Sequence, residues 1–113
     1  MSDSVRFLVV GLEHCDSIAI GSTIKRLLSA GKRAPLELRR EPDNKFDPNA
    51  IRILFDGKPF GYVPNSEDHK MADALAPAID AGLAKVSAEA VRCVWNSNRM
   101  VYRCEAVLRL IDV

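Results

Sequence analysis

The sequence predicts a mainly β protein, in which an antiparallel six-stranded sheet curls into a small barrel and two short helices cover it. Six segments have the length and apolar pattern of strands, whereas only two have the spacing of helices. Because parallel strands need long crossover connections, two helices are too few to join six strands in parallel. An antiparallel curled sheet fits this element count. We expect residues 1–113 to form a single domain.

The first third of the chain predicts one buried strand and one short helix. Residues Val5 to Val10 form a nearly continuous apolar run rich in valine, which ends at Gly11. Residues 12–21 have the composition of a loop. We expect a helix from Ile24 to Ala30, because a Ser-Thr pair that can cap a helix precedes it and Gly31 follows it.

The middle of the chain predicts three strands. Apolar and polar residues alternate over Pro35–Arg40 and over Ala50–Phe55, which is the pattern of half-buried strands. Asp56-Gly57 is a strong tight-turn sequence, so Lys58–Val63 is expected to pair back as a hairpin. Between the first two strands, residues 41–49 hold two prolines and four Asp or Asn residues, a composition typical of turns.

The last part predicts a second helix and a long hairpin. Residues 64–68 have the composition of a helix start, and Gly82 closes the segment. Pro77 lies inside it and should kink the helix or split it into two turns. Two long strands then surround Asn96–Arg99. One face of this hairpin is expected to be buried: Val91, Cys93, Trp95, Tyr102, Cys104, Ala106, Leu108 and Leu110.

Composition and charge exclude several classes of protein. The formal net charge is +1, so any contact with nucleic acid must come from a local site rather than from the field of the whole chain. No apolar run approaches the length of about 20 residues that spans a membrane. The N-terminus lacks the basic residues that begin a signal peptide. We therefore expect a cytoplasmic protein with no membrane partner.

The sequence contains no pattern that indicates an enzyme. It has no P-loop, no Gly-x-Ser-x-Gly and no His-Glu-x-x-His, so we expect neither catalysis nor a cofactor. Three cysteines without a Cys-x-x-Cys pair argue against a disulfide framework and against a zinc finger. The adjacent His14 and Cys15 could hold a metal ion or form a thiol–imidazole pair. Three ordinary intracellular thiols and no metal are the simpler interpretation.

The loop 41–49 is the most informative candidate for function. Phe46 is apolar but lies between two charged residues, so it either plugs the core from the loop side or offers a ring for stacking. Asp47 lies between this ring and Pro48, where the backbone is restricted. Its carboxylate either folds the loop as an Asx turn or accepts a hydrogen bond from a ligand hydroxyl.

Three segments together resemble the HIRAN domain family: Leu38–Ile51 with the sequence LRREPDNKFDPNAI, Gly61–Pro64 with GYVP, and Leu75–Gly82 with LAPAIDAG. The core of the resemblance covers residues 36–82. It implies an OB-like or SH3-like β-barrel. In the branch of the family that is fused to DNA-repair helicases, the domain captures the 3′ end of single-stranded DNA, so the resemblance implies this partner here.

The resemblance also assigns roles to residues. Asp47 is expected to accept a hydrogen bond from the 3′-hydroxyl, with Phe46 as the stacking or wall residue, Asn44 as a polar neighbour and Tyr62 as a ring beside the DNA end. Arg40 and Glu41 are expected to form a structural pair. The DNA-binding residues are then His14, Asn44, Phe46, Asp47, Tyr62 and Asn65.

Two positions depart from the helicase branch of the family. Glu13-His14-Cys15 stands where that branch has an Arg-Tyr-Tyr run, which leaves His14 for stacking and a carboxylate in place of an arginine. Asn65 stands where the family often has a basic residue. Each lost phosphate contact should weaken binding to DNA and flatten its salt dependence. The alternative is therefore a diverged HIRAN module that binds another protein.

Overall fold

The computed structural model describes residues 4–14, 17–83 and 85–111, and shows six strands and two helices in the predicted order. These elements are β1 (Ser4–Leu8), a 3-10 turn (Leu12–His14), α1 (Ser17–Ser29), β2 (Ala34–Arg40), β3 (Ile51–Phe55), β4 (Lys58–Tyr62), α2 (Met71–Asp80), β5 (Lys85–Asn96) and β6 (Val101–Ile111). The mainly β class with two helices is thus confirmed.

The six strands form one antiparallel sheet that curls until its two edge strands meet. Its strand order is β1-β6-β5-β2-β3-β4, and every neighbouring pair is antiparallel. Val10, two residues after β1, donates its N–H to the carbonyl of Tyr62 over 3.1 Å and accepts from the Tyr62 N–H over 2.8 Å. This bridge closes one end of the sheet into the barrel-like shape that the sequence predicts.

Gly61 allows this closure. Its φ angle is +138°, a backbone conformation that side chains rarely adopt. A Cβ atom at this position would lie 2.7 Å from Cγ1 of Val9 and 2.8 Å from the carbonyl oxygen of Val10. Only a glycine therefore lets the chain beyond β1 lie directly against β4.

The core lies inside the curled sheet and beneath the two helices. The largest side chains that are almost fully buried are Phe60, Ile24, Ile51, Ile53, Leu108, Val63 and Cys104. Burying an isoleucine or phenylalanine side chain contributes about 1.5–3 kcal/mol each, so this cluster holds the sheet in its curl. Helix α2 adds Met71, Ala72 and Ala76 to the same cluster.

Helix α1 begins at Ser17, so the prediction of a loop over 12–21 and of a helix start at Ile24 was wrong. Ile20 and Ile24 are both buried, which extends the apolar face of the helix one turn towards its N-terminus. Gly21 weakens the helical pattern in the sequence. The structure requires a glycine there because the ring of Tyr102 packs against the helix backbone, and a Cβ atom would lie 2.7 Å from its Cγ. The hydroxyl of Ser17 donates to the carbonyl of Leu12 over 2.7 Å.

Helix α2 runs from Met71 to Asp80. It begins several residues after the predicted helix start at 64–68. The acidic residues that suggested a helix start lie in bends before it. Pro77 lies inside a single helix, so the predicted split into two turns was wrong. The carbonyl of Pro77 still accepts a hydrogen bond from the N–H of Ala81 over 3.0 Å.

The β5–β6 hairpin confirms part of the predicted face and corrects the rest. Cys93 lies opposite Cys104, both side chains are buried, and they are free thiols, as expected of packed cysteines. The register shifts between Ala90 and Arg92, so Ala90 is buried while Val91 is only half-buried. Such a bulge places one extra residue in a strand and reverses the inward and outward faces beyond it. Leu110 is 48% exposed and does not belong to the buried face.

Within residues 4–14, 17–83 and 85–111, neither helix is long and apolar enough to cross a membrane.

Candidate functional site

A hollow of about 630 Å³ opens between the loop 41–49 and the bridge that joins β1 to β4. We call it the loop hollow. Five of the six predicted site residues line it: Asn44, Phe46, Asp47, Tyr62 and Asn65. Val10, Ala50 and Val63 supply apolar wall. The sixth predicted residue, His14, ends the 3-10 turn, and its side chain lies outside what the structure describes.

Two successive Asx turns fold the loop. The side-chain oxygen of Asn44 accepts hydrogen bonds from the N–H groups of Phe46 and Asp47, over 2.9 and 3.0 Å. Oδ1 of Asp47 in turn accepts from the N–H of Asn49 over 2.9 Å. Because a loop lacks the backbone ladder of a sheet, these side chains supply the acceptors that its N–H groups need.

The carboxylate of Asp47 is half-buried, and both its oxygens are engaged. Besides the turn made by Oδ1, Oδ2 accepts a hydrogen bond from the side-chain amide of Asn65 over 2.6 Å. The Asx-turn interpretation is therefore correct. A carboxylate has about four lone-pair sites, however, so two accepted bonds leave it able to accept from a ligand donor. Folding the loop and binding a hydroxyl are thus compatible roles.

Asp73, in the first turn of α2, holds the two asparagines that surround Asp47. Its Oδ1 accepts from the amide of Asn49 over 2.9 Å and from that of Asn65 over 3.0 Å. Its backbone N–H donates to Oδ1 of Asn65 over 3.1 Å. The hydrogen bonds from Asn49 and Asn65 hold the pKa of the Asp73 carboxyl below its ordinary value. The sequence did not indicate this residue, since its partners Asn49 and Asn65 lie 24 and 8 residues before it.

Phe46 lies at the mouth of the loop hollow with 98% of its surface exposed. The two Asx turns, made by Asn44 and Asp47, hold the loop in a shape in which the ring points outward rather than into the core. The interpretation of Phe46 as a core plug was therefore wrong. The ring instead presents both of its faces to solvent beside the half-buried Asp47.

Tyr62 forms a wall of the hollow with its ring, while its hydroxyl is used inside the protein. The hydroxyl donates to Oε1 of Glu41 over 2.8 Å and accepts from Nη2 of Arg52. The Arg52 guanidinium also lies 5.0 Å from the ring centroid. Burial, together with the Glu41 carboxylate, raises the pKa of Tyr62 above its ordinary value, although Arg52 acts in the opposite direction. Tyr62 is therefore a neutral, fixed ring.

Arg40 and Glu41 are both structural, but they do not form the predicted pair. Arg40 binds both carboxylate oxygens of Asp80, over 2.9 and 3.0 Å, and donates to the carbonyls of Pro48 and Ala50. It thus fastens the end of the loop to the C-terminal end of α2. Glu41 instead pairs with Arg52, with 2.6 Å between Oε2 and Nε.

The environment of Glu41 favours its charged form. Partial burial alone would raise its pKa. The hydrogen bonds from Asn44 and Tyr62, and the positive charge of Arg52, outweigh burial and hold the pKa of Glu41 below its ordinary value. Glu41 is therefore an anion at neutral pH whose bonds support the loop from behind.

The loop hollow is apolar and not positively charged. Of the described residues that line it, Asp47 alone carries a charge. Within residues 4–14, 17–83 and 85–111, no three His, Cys, Asp or Glu side chains come together as metal ligands. Cys15 lies outside the described residues, so the pairing of His14 with Cys15 is not seen. The site is thus suited to an apolar ring and a hydrogen-bond donor.

Comparison with known proteins identifies the fold. The crystal structure of the HIRAN domain of human HLTF is similar, with a TM-score of 0.66 and 22% identity over 95% of this chain and 74% of that chain. The NMR structure of the HLTF HIRAN domain in its DNA-bound conformation is similar with a TM-score of 0.59 and 21% identity over 95% of this chain and 75% of that chain. A crystal structure of a protein from Lactobacillus plantarum is similar with a TM-score of 0.60 and 19% identity over 99% of this chain and 98% of that chain.

None of the curated proteins with which the chain was compared matches it. The sequence model of the HIRAN domain, by contrast, matches residues 2–110, which is nearly the whole chain. The match extends well beyond the motif-bearing segment 36–82 and includes both edge strands of the sheet. The chain belongs to the HIRAN domain family.

Proposed function

We propose that the chain is a nucleic-acid-binding module whose loop hollow captures the end of a DNA single strand that carries a free 3′-hydroxyl. The observation that carries this proposal is the exposed Phe46 ring at the mouth of a hollow whose wall contains the Asp47 carboxylate. Membership of the HIRAN family supports it. So does the likeness in fold to the HLTF domain, whose structure is described in a DNA-bound conformation.

The apolar part of the hollow suits the last base of the strand. A base can stack on the Phe46 ring, which contributes about 1–3 kcal/mol and does not depend on the identity of the base. The Tyr62 ring, fixed from behind by Glu41 and Arg52, forms a rigid wall that loses no conformational freedom when a ligand binds. Phe46 and Tyr62 thus account for affinity without sequence preference.

The Asp47 carboxylate suits the terminal hydroxyl. It accepts hydrogen bonds only, and Asn65 and the Asn49 N–H hold it in one orientation. A terminal phosphate would bring like charges together, which costs roughly 1–4 kcal/mol at about 4 Å. The carboxylate therefore favours a free hydroxyl by attraction and disfavours a phosphate by repulsion.

The terminal nucleotide is held with little help from cations. Asn65 binds Asp47 where a basic residue would face a phosphate, and Glu13 is acidic. Neutralising fewer phosphates makes binding less sensitive to salt. We therefore expect recognition of the strand end itself to depend on stacking and hydrogen bonding rather than on ionic contacts.

Fluorescence anisotropy with two ten-nucleotide DNA strands labelled at the 5′ end tests the proposal. One strand ends in a 3′-hydroxyl and the other in a 3′-phosphate. The wild-type chain should prefer the hydroxyl about tenfold or more, because tenfold corresponds to about 1.4 kcal/mol. In an Asp47→Asn variant the preference should approach one, since the amide is uncharged but still accepts the bond from the Asn49 N–H.

Asp43→Asn is the matched control. Asp43 is exposed on the same loop but does not line the loop hollow, so its charge should not affect the choice between strand ends. Equal or negligible binding of both strands at low salt would overturn the proposal. Loss of the preference in Asp43→Asn as well would indicate a general effect of loop charge.

A second candidate function is the binding of a protein strand at the edge of β1. Strand β1 pairs with β6 on one side and, among the described strands, has no partner over Ser4–Leu8 on the other. Val5 is 47% exposed on this strand, and Leu110 is 48% exposed on its neighbour. An apolar edge of this kind can accept a strand from a second copy of the chain. Sedimentation velocity should then show self-association that Val5→Glu abolishes, whereas a monomer at every concentration would contradict it.

A further inference from the structure

The outer face of the β5–β6 hairpin carries a second hollow, of about 450 Å³, which we call the hairpin hollow. Its lining includes Arg92, Arg103, Trp95 and Asn96. Arg92 pairs in register with Glu105, and Val94 pairs with Arg103, so both arginines point away from the core on the same face. Both are exposed.

The two arginines are available to a ligand. In the part of the chain that the structure describes, neither guanidinium forms an ion pair or a side-chain hydrogen bond. The carboxylate in the hairpin hollow, Glu105, is already paired with Arg6 over 3.2 Å. A pair of unneutralised guanidinium groups beside a neutralised carboxylate makes a local anion site on a chain that is nearly neutral overall.

A third, smaller hollow of about 250 Å³ has lining residues in common with both the hairpin hollow and the loop hollow. It shares Val10 with the loop hollow, and it shares Asn96 and Arg103 with the hairpin hollow. Arg99 and Glu13 also line it. The three hollows therefore lie in a row, which we call the track; it runs from the loop hollow past Val10 to the outer face of the hairpin.

We propose that Arg92 and Arg103 bind the phosphodiester backbone of the DNA strand upstream of the nucleotide held in the loop hollow. This inference rests on the proposed function. The two ends of the track carry the charges that such a strand needs, because the terminal hydroxyl meets the Asp47 carboxylate whereas the phosphates further to its 5′ side meet arginines. Between these ends, Glu13 and Arg99 line the same hollow with opposite charges. Guanidinium groups suit this role, since their planar fork can donate two hydrogen bonds to one phosphate.

The test is the affinity for unlabelled DNA strands of two, four and eight nucleotides, all with a 3′-hydroxyl, measured by calorimetry at several salt concentrations. Longer strands should bind more tightly. Each phosphate contact in a single strand contributes about −0.7 to the slope of log affinity against log salt, so two contacts contribute about −1.4. That slope lowers the affinity for the long strand roughly sevenfold between 50 and 200 mM salt.

The double variant Arg92→Gln/Arg103→Gln should lose the gain with length and this part of the salt dependence. It should bind the two-nucleotide strand as the wild type does. Arg26→Gln/Arg33→Gln is a charge-matched control, because both arginines are exposed and lie on or just after α1, away from the track.

Trp95, the single tryptophan of the chain, lines the hairpin hollow. Its fluorescence should change with the eight-nucleotide strand and not with the two-nucleotide strand.

The outcomes separate the two proposals. If the two-nucleotide strand binds but length adds nothing, or if the double variant keeps the gain with length, the hairpin inference is overturned while the proposed function stands. If none of the strands binds at low salt, both are overturned. An equal loss in the Arg26→Gln/Arg33→Gln control overturns the hairpin inference too, because the effect would then come from net charge alone.

Discussion

The loop 41–49 and the outer face of the β5–β6 hairpin are both polar, but their polar groups do different work. In the loop, the side chains of Asn44, Asp47 and Asn49 all form hydrogen bonds within the protein. On the hairpin, Arg92 and Arg103 form none that involve the described residues. These two arginines of the hairpin are therefore available to solvent or a ligand, whereas the polar side chains of the loop first hold the loop in shape, and Asp47 among them keeps acceptor sites for a ligand.

The difference has a simple physical origin. In the hairpin, the ladder between β5 and β6 satisfies the backbone N–H and carbonyl groups, so the outward side chains are left for solvent or a ligand. The loop has no such ladder and satisfies several of its N–H groups with its own side chains. What the loop offers to a ligand is therefore the shape that these bonds impose, the exposed Phe46 at its mouth and the remaining acceptor sites of Asp47.

A large effect is expected at Gly61, where the chain beyond β1 closes against β4 beside the loop hollow. Gly61→Ala should destabilise the fold by about 3 kcal/mol, because a Cβ atom would collide with Val9 and with the carbonyl of Val10 at an unfavourable φ angle. Urea unfolding measures this loss. Gly57→Ala is the control, since Gly57 also has a positive φ, of +76°, but a Cβ atom there would meet nothing within 4 Å. It should cost only about 1 kcal/mol. Equal losses would show that β1 and β4 are not in close contact.

The next effect concerns the support behind the loop. Arg52→Ala should lower the free energy of unfolding, measured with urea, by about 1–3 kcal/mol, because it leaves the half-buried Glu41 carboxylate without its cation. Arg39 lies directly opposite Arg52 in the β2–β3 register and pairs with the exposed Glu37. Arg39→Ala should therefore cost only about 0–1 kcal/mol. Similar costs for the two arginines would mean that the Glu41 network does not support the loop.

A smaller effect follows from the charge of Glu41. Because its pKa in the folded protein lies below the ordinary value of 4.5, its carboxylate stabilises the fold fully above that pH. This contribution is lost as the pH falls through the lowered pKa. The stability difference between the wild type and Glu41→Gln should therefore be constant from pH 7 to about pH 5 and shrink at lower pH. A difference that stays constant down to pH 3 would contradict the lowered pKa.

The sequence predicted those features that depend on neighbouring residues. Alternation predicted the strands, Asp56-Gly57 predicted their hairpin, and the crowding of Asp and Asn predicted the turns of the loop. The spacing around the last turn also placed Cys93 and Cys104 on one buried face, where the structure shows them directly opposite each other. Each of these features is encoded within a few residues, where periodicity and turn preferences act.

The features that the sequence did not predict depend on contacts between distant residues. Gly21 of α1 lies against Tyr102, far away in the sequence, and the partner of Arg40 is Asp80, forty residues further on. The bulge at Val91 follows from a register that local alternation does not reveal. Asp73 was missed for the same reason, because its partners Asn49 and Asn65 lie 24 and 8 residues before it. For Phe46, the sequence posed the alternatives and only the folded loop decided between them.

The smallest effect on stability is expected for Phe46→Ala. This variant tests most directly whether the loop keeps its shape through hydrogen bonds alone. A side chain that is 98% exposed contributes little to folding, so the free energy of unfolding, measured with urea, should change by less than about 0.5 kcal/mol. Phe60→Ala, in the core, should by contrast cost about 3–5 kcal/mol. The same Phe46→Ala variant should bind single-stranded DNA roughly 5- to 150-fold more weakly, since it loses one stacked base. A loss of stability above about 1 kcal/mol would show instead that the ring packs against the loop, and that the hydrogen bonds of Asn44 and Asp47 are not sufficient to hold the shape of the hollow.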